Sequence, residues 1–562
     1  MRACPRSLYF ILALSLAAAS LSTQPAAASP SKPNIIVILL DDLGYSDIGA
    51  YGGEINTPHM NRLAANGLRF TQAYNSARCC PSRATLMSGL YSHQAGLADF
   101  TGPDRSATQG PAYQNRLGDN CVTLAHVLKD AGYQTYHVGK WHLNRKVNPI
   151  DRGFDEFYGY IHGHSQPQWD QELYQRLPEG RTPELKYKRK AFYATDVFND
   201  YAVEFIDQSE KQDAPFFLYL AHSSPHFPLH APAETRDKYL ETYRRGWDDL
   251  RRQRFKRQKE IGLAQKTWTL TDLSEVPIDP KEPTNGYEGK QNPHWEALDA
   301  LRREDLAHRM AIYAAMIEYV DRGIGRIIDE LEVQGELDNT LIMITSDNGA
   351  CYEWGPFGFD VHNHVVGAVL HEARFLQKMG LHGSYHSVGS GWANLSNTPF
   401  RLYKHYNHEG GQCSPLIVHW PTGIKDPNRW VRTPVHLIDF MPTFLDVANA
   451  QYPRNVDGRR IQPYEGMSLS PLFAGADTLA ERTLYFDHFG ASAIRKGDWK
   501  LVRCNKRLND RQWELYNIAE DRCETKDLIK NKPELFKALE QEWLSWAKRV
   551  KLAPYYTHTQ SD

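Results

Sequence analysis

Four short apolar runs in this chain each stop abruptly at residues that carry chemistry. Ile35–Leu40 is unbroken and is followed by Asp41-Asp42, and Leu341–Ile344 leads through Thr345 and Ser346 to Asp347-Asn348. Gln134–Val138 runs into Gly139-Lys140-Trp141-His142, and Phe216–Leu220 runs through Ala221-His222 to Pro225-His226. Leu416–Val418 is a fifth such run. Continuous apolar runs of this length suit strands covered on both faces, as in a parallel sheet. Between them lie helical patterns. Tyr313, Ile317, Val320, Ile324, Ile327 and Leu331 recur at spacings of three and four before Gly335, and Leu124, Val127 and Leu128 precede Gly132. Such alternation predicts an α/β fold with a mostly parallel sheet. Ligands of such sheets gather beyond the carboxyl ends of the strands, where these four runs deliver Asp, Asn, Lys and His.

The 562 residues suffice for one such core with long insertions, expected at about 232–305 and 350–397 of a catalytic domain spanning 33–476. The first insertion is charged (Arg244-Arg245, Arg251-Arg252 to Lys259) and reads as a solvated helix. The second is rich in Gly, His and aromatics, follows Asp347 directly, and is placed to wall a pocket. From about Asp477 short strands and one helix around Leu535–Trp546 predict a smaller α+β domain, 477–562. Lys and Arg number 65 against 67 Asp and Glu, which gives no electrostatic reason to expect nucleic acid or an anionic membrane. Residues 1–28 have a basic start (Arg2, Arg6), an apolar run from Leu8 to Ala19 and Ala26-Ala27-Ala28 for cleavage, the plan of a secretory signal peptide. That run is too short to span a bilayer, and no later one is longer. Export to a periplasm or medium permits disulfides, and Cys504 and Cys523 flank a segment they could staple. Sequence alone does not choose among the pairings.

The segment Cys79-Cys80-Pro81-Ser82-Arg83-Ala84-Thr85-Leu86-Met87-Ser88-Gly89 has Pro81 suited to a first helical turn and Gly89 to the helix end. Cys79 would then sit at a helix N-terminus, where dipole and free amides favour an anion, with Arg83 one turn along the same face. Chemistry alone leaves two readings, an activated thiolate or a buried small residue. Cys79, Pro81, Ser82, Arg83 and Gly89 resemble, in order and spacing, the signature of the type I sulfatases. The resemblance covers nearly the whole chain from about Pro33, implies the alkaline-phosphatase-like α/β fold, and is nearest to bacterial arylsulfatases. It implies that Cys79 is oxidised to formylglycine by a formylglycine-generating enzyme, and that the hydrate is the nucleophile.

Asp41, Asp42, Asp347 and Asn348 offer hard oxygen ligands, which favour calcium or magnesium over zinc. The matching residues of the family bind one calcium ion together with the formylglycine. The resemblance implies that Lys140 holds a sulfate oxygen and that His142 acts as base in breakdown of the sulfated intermediate. It also implies that His226, in Pro225-His226-Phe227-Pro228, assists the leaving group, and that Lys404, in the stretch 397–411, contacts the bridging oxygen. His405 and His408 lie in the same stretch and read as residues behind the site; His222 and Arg401 read as structural. Expected function is therefore hydrolysis of aryl or carbohydrate sulfate esters. A formylglycine-using phosphonate or phosphodiester hydrolase and a silent sulfatase-like binding protein are the alternatives. Substrate choice is expected to lie with residues 350–397 and with His488 or Arg495.

Overall fold

The computed structural model describes Met1 and residues 32–552, except 189–190, 213, 278–286, 363–364, 368, 506–507 and 509–511. The leader expected over residues 1–28 lies outside the described residues apart from Met1, and no described helix is long and apolar enough to cross a membrane.

The apolar runs form the middle of one large sheet. Its strands are β1 (Asn34–Asp41), β2 (Leu68–Tyr74), β3 (Gln134–Lys140), β4 (Glu156–Tyr160), β5 (Gln175–Leu177), β6 (Phe216–Pro225), β7 (Thr340–Ser346), β8 (Cys413–His419), β9 (Arg429–Val431) and β10 (Val435–His436). Their order is β9-β2-β8-β7-β1-β6-β3-β4-β5, with β10 also pairing with β2. The central five, β7-β1-β6-β3-β4, are parallel, while β8 runs antiparallel to both β2 and β7. Every residue of β1 is buried because both faces are covered. Ile36, Ile38 and Leu40 face one apolar layer and Ile35, Val37 and Leu39 the other, the strand period of two.

Helices α1 (Cys79–Ser88) and α2 (Leu124–Asp130) pack on the second face with α6 (Phe440–Ala448), and α3 (Ala194–Glu210) and α5 (Ala300–Val333) pack on the first. The Asp299 side chain caps α5 by accepting from Arg302 N at 2.9 Å, and Gly335 follows its end at φ +73°. The helix of the first insertion, α4 (Trp247–Glu260), corrects the expectation of a solvated segment. Its Trp247, Leu250 and Phe255 are buried, and fully buried Arg254 pairs with Asp47 and Glu54 at 2.7 Å each. Charge composition hides this, because an arginine can be buried when it is fully paired.

Near the C-terminus β11 (Thr483–His488), β12 (Ala491–Lys496), β13 (Trp499–Arg503) and β14 (Trp513–Asn517) form a separate antiparallel sheet, covered by α7 (Pro533–Arg549). It docks through a buried charge cluster. Lys500 Nζ lies 2.7 Å from Glu409 and 2.8 Å from Glu524, and Arg522 pairs with Glu409 at 2.5 Å. The seven cysteines of the described residues are all free and buried, which corrects the staple considered for Cys504 and Cys523. Cys504 Sγ instead faces His408 Nδ1 at 3.9 Å.

Candidate active site

Strand register brings the chemical residues together. Leu40 of β1 is level with Ser346 of β7, so Asp41-Asp42 and Asp347-Asn348 leave the sheet side by side. Asp41 is level with Pro225 of β6, which puts His226 beside them, and Lys140 ends β3 next door. The backbone turns sharply here: Asp42, His142 and His405 all have positive φ, at 68°, 53° and 77°. Non-glycine residues in that region are held by their surroundings and gather at functional sites. Helix α1 begins at Cys79 and ends where Gly89, at φ +70°, donates to Thr85 O.

Charges then pair off inside a buried cluster. Lys140 Nζ lies 2.5 Å from Asp41 Oδ2, and Lys404 Nζ lies 2.8 Å from Asp42 Oδ1. Arg83 donates to Asp347 Oδ2 from Nη2 at 2.7 Å and from Nε at 3.1 Å, and its Nη2 is 3.7 Å from Asp41. Burial would raise the Asp41 carboxyl, but Lys140, His226 and Arg83 outweigh it and hold it below the ordinary carboxylate range. Burial and the Asp41 charge push Asp347 well above that range in spite of Arg83. Burial lowers Lys404, yet Asp42 overcomes this and keeps its ammonium charged.

Whether these residues suit a hard divalent cation can be tested on their unsatisfied atoms. Asp41 Oδ1 and Asn348 Oδ1 are buried with no hydrogen-bond partner among the described residues. Asn348 Nδ2 donates to Asp42 Oδ1 at 2.6 Å, which fixes its oxygen on the other side of the amide. Three carboxylates and an amide oxygen form an all-oxygen donor set, and a bound cation would relieve the strain on Asp347. The donors fit such an ion.

Cys79 opens onto this cluster. Burial alone would raise its thiol, but a hydrogen bond with Cys80 and the charges of Lys140, His142 and Lys404 bring it well below the ordinary value. A His142 ring nitrogen lies within 4.8 Å of the Cys79 and Cys80 sulfurs, and burial sets that imidazole at about 4. His226 Nε2 is 3.4 Å from Asp42 and 3.2 Å from Lys404 Nζ, and burial lowers it too.

A cavity of about 380 Å³ leads to Cys79 and is lined also by His226 and Lys404. Trp354, Phe359 and Tyr385 of the second insertion form part of its wall, beside Phe100 and Phe227. His405 lines it as well, bonded to Glu353 at 2.8 Å, and the His488 ring lies 5.4 Å from that of His405 between centroids, tilted by 32°. Three other residues lie apart. His222 is an unpartnered core residue among those described, His408 bonds Glu514, and Arg401 bonds Glu275 and Glu514 to support its loop. Arg495, considered for substrate choice, turns away to donate to Tyr74 OH at 2.6 Å. Sequence reasoning did not find Arg78, Phe100, His164 or Glu353. Only the place of Arg78, immediately before Cys79, offered a signal.

Residues 33–450 match the family model described as Sulfatase, and residues 400–548 match one described as N-sulphoglucosamine sulphohydrolase, C-terminal. The chain belongs to the sulfatase family. An uncharacterized sulfatase of Schizosaccharomyces pombe is 32% identical over 92% of this sulfatase and 94% of its own length. An arylsulfatase of Klebsiella aerogenes is 31% identical over 79% and 93%. An N-acetylglucosamine-6-O-sulfatase of Bacteroides thetaiotaomicron is 26% identical over 94% and 90%. The crystal structure of Ps i-CgsB superposes with a TM-score of 0.63 at 25% identity, covering 92% of this sulfatase and 93% of that chain. The sulfatase is a sulfuric ester hydrolase with a mixed α/β fold and a smaller C-terminal α+β part.

Proposed function

We propose that this sulfatase is an exported, calcium-dependent enzyme that cleaves aryl or carbohydrate sulfate esters with a formylglycine made from Cys79. The observation that carries this reading is the placement of Cys79 at the start of buried α1, beside three buried carboxylates and two lysines, with Asp41 Oδ1 and Asn348 Oδ1 left without hydrogen-bond partners among the described residues. Its catalytic domain is taken as 33–476 and its C-terminal domain as 477–562. Asp41, Asp42, Asp347 and Asn348, with residue 79, would hold the calcium, which when bound would supply Lewis-acid polarisation of the sulfuryl group, and the hydrated aldehyde would supply the attacking hydroxyl.

The remaining work falls to side chains. Lys140 and Lys404 carry positive charge to the place where the sulfuryl oxygens gain negative charge, in a site from which water is excluded. Lys404 stands as the donor to the departing alcohol oxygen, and His226 assists by accepting from its ammonium and orienting it. His142, neutral through burial, accepts a proton when sulfate is released. Arg83 anchors Asp347 and orients it for the metal. The relative named for N-acetylglucosamine 6-O-sulfate and the aromatic-walled cavity support a sugar substrate. The basic and apolar leader of residues 1–28 supports export, and a formylglycine-generating enzyme is the partner required for Cys79.

The peptide mass around Cys79, measured on protein from a host competent in the modification, tests this together with sulfate release from 4-nitrophenyl sulfate. An aldehyde mass and release that stops with a calcium chelator are expected. An unmodified cysteine and no release from such a host sink the proposal.

A further inference from the structure

We infer that Arg78 binds a second anionic group on the substrate, a carboxylate or a second sulfate, so that the pocket selects sulfate esters carrying two negative charges. This rests on the sulfate-ester reading above and deepens it.

Arg78 precedes Cys79 and has an extended backbone, φ −157° and ψ 152°, so its side chain leaves α1 instead of running along it. It lines the same cavity as Cys79. Its guanidinium lies over the Phe100 ring at 4.5 Å and reaches Phe489 at 5.5 Å. Among the described residues its side chain makes no hydrogen bond and has no carboxylate within ion-pair distance, and its Nε is buried without a partner. The neighbouring cations are all committed: Arg83 to Asp347, Lys140 to Asp41 and Lys404 to Asp42. Those three, with the metal donors, suffice for the sulfate being cleaved. Arg78 is thus a cation beside the nucleophile that this sulfate does not require.

Its environment suits an anion. A guanidinium held against an aromatic face is weakly hydrated and presents a planar fork that matches carboxylate or sulfate oxygens. Glu353 lines the same cavity, but it is engaged by His405 at 2.8 Å and remains an acceptor for substrate hydroxyls. Trp354 and Phe359 offer flat apolar walls for the ring that bears the two anions.

Matched substrate pairs test the inference: N-acetylglucosamine 6-sulfate against glucosamine N,6-disulfate, and glucose 2-sulfate against glucuronate 2-sulfate. Rates for wild type, Arg78→Met and Arg78→Lys are normalised to the formylglycine content of each preparation. The wild type is expected to prefer one or both dianions by at least about tenfold in kcat/KM, as one charge-assisted bidentate contact implies. Arg78→Met should bring that ratio to near one, and Arg78→Lys should fall between. The two pairs distinguish sulfate from carboxylate as the second anion. A parallel calorimetric titration measures binding of the same four sugars to protein whose Cys79 is unmodified. If the wild type releases sulfate but shows no dianion preference, or if Arg78→Met keeps the wild-type ratio, this inference is overturned and the sulfatase reading stands. If no sugar is cleaved, the binding ratio decides: equal affinities for each pair, or an unchanged ratio in Arg78→Met, overturn it.

Discussion

Lys404 Nζ lies 3.2 Å from Nε2 of His226, while His226 Nδ1 lies 2.6 Å from the Phe227 carbonyl. A carbonyl can only accept, so Nδ1 carries the hydrogen, and Nε2 accepts from the lysine. Of this pair the mobile proton therefore belongs to Lys404, which on the mechanism proposed above makes it the donor to the leaving group. Substituting Lys404→Met should reduce kcat/KM on sugar sulfates on the order of 10²–10³-fold, the usual effect of removing one donor to developing charge. Loss on 4-nitrophenyl sulfate, whose leaving group needs little protonation, should be about tenfold smaller. Equal losses on both substrates would place Lys404 on the sulfuryl oxygens instead.

Metal addition should appear in stability as well as in rate. Asp41, Asp42, Asp347 and Asn348 are all fully buried, and burial with the Asp41 charge raises the Asp347 carboxyl, which a bound cation would offset. Calcium at 100 times its dissociation constant should stabilise the fold by about 2.7 kcal/mol, a rise of about 2–3 °C in Tm for a chain of this length. A chelator should reverse it, and Asn348→Ala should shrink the shift. Identical melting curves with and without calcium would exclude the assigned donors.

Acid should unfold the protein through its buried histidines. Burial lowers His222, His230 and His436 to about 3 each, against an ordinary value near 6.5. Between those values the unfolded chain binds protons that the folded chain does not. The stability is therefore complete above about pH 6.5 and falls as the pH drops toward 3, by about 1.4 kcal/mol per pH unit for each histidine. His222 has both ring nitrogens unpartnered among the described residues, so His222→Leu should flatten the slope by about one proton and leave activity intact. Urea midpoints from pH 7.5 to 5 measure this, and an unchanged slope would show that His222 does not contribute.

The second insertion is tied to α5 through Arg309. Its Nε pairs with Asp305 at 2.9 Å and its Nη2 with Asp360 at 2.8 Å, and Nη1 donates to the Phe359 and Ser387 carbonyls. Arg309→Met would remove the closest guanidinium from two buried carboxylates, leaving Arg302 at 3.7 Å and the His371 and His386 imidazoles as their partners, a cost of about 3 kcal/mol. Proteolytic cleavage within residues 350–397 should accelerate, and KM for sugar sulfates should rise more than kcat falls. Wild-type resistance to protease in this variant would refute the tether.

Much of the site was legible because its residues end buried strands, where an apolar run must give way to polar side chains. Register then did what no pattern announces, setting Asp41 level with Pro225 and Leu40 level with Ser346. The direction of β8 was not readable, since a strand buried on both faces looks alike whichever way it runs. Nor was the fate of Arg254 or Arg495. Each depends on partners far off in sequence, Asp47 and Glu54 for one and Tyr74 for the other. Arg78 escaped notice because nothing local marks where the side chain at a helix cap will point.

The buried meeting of Lys500 and Arg522 with Glu409 and Glu524 has a bearing on ancestry. Glu409 follows Lys404 by five residues, so the loop that holds Lys404 is seated on ions supplied by the last eighty residues of the chain. Neither half can drift independently: a charge lost from one side strands its counterpart in the interior. Exchange of C-terminal segments between related enzymes should therefore succeed only when this quartet travels intact, and lineages should inherit the two halves as one unit.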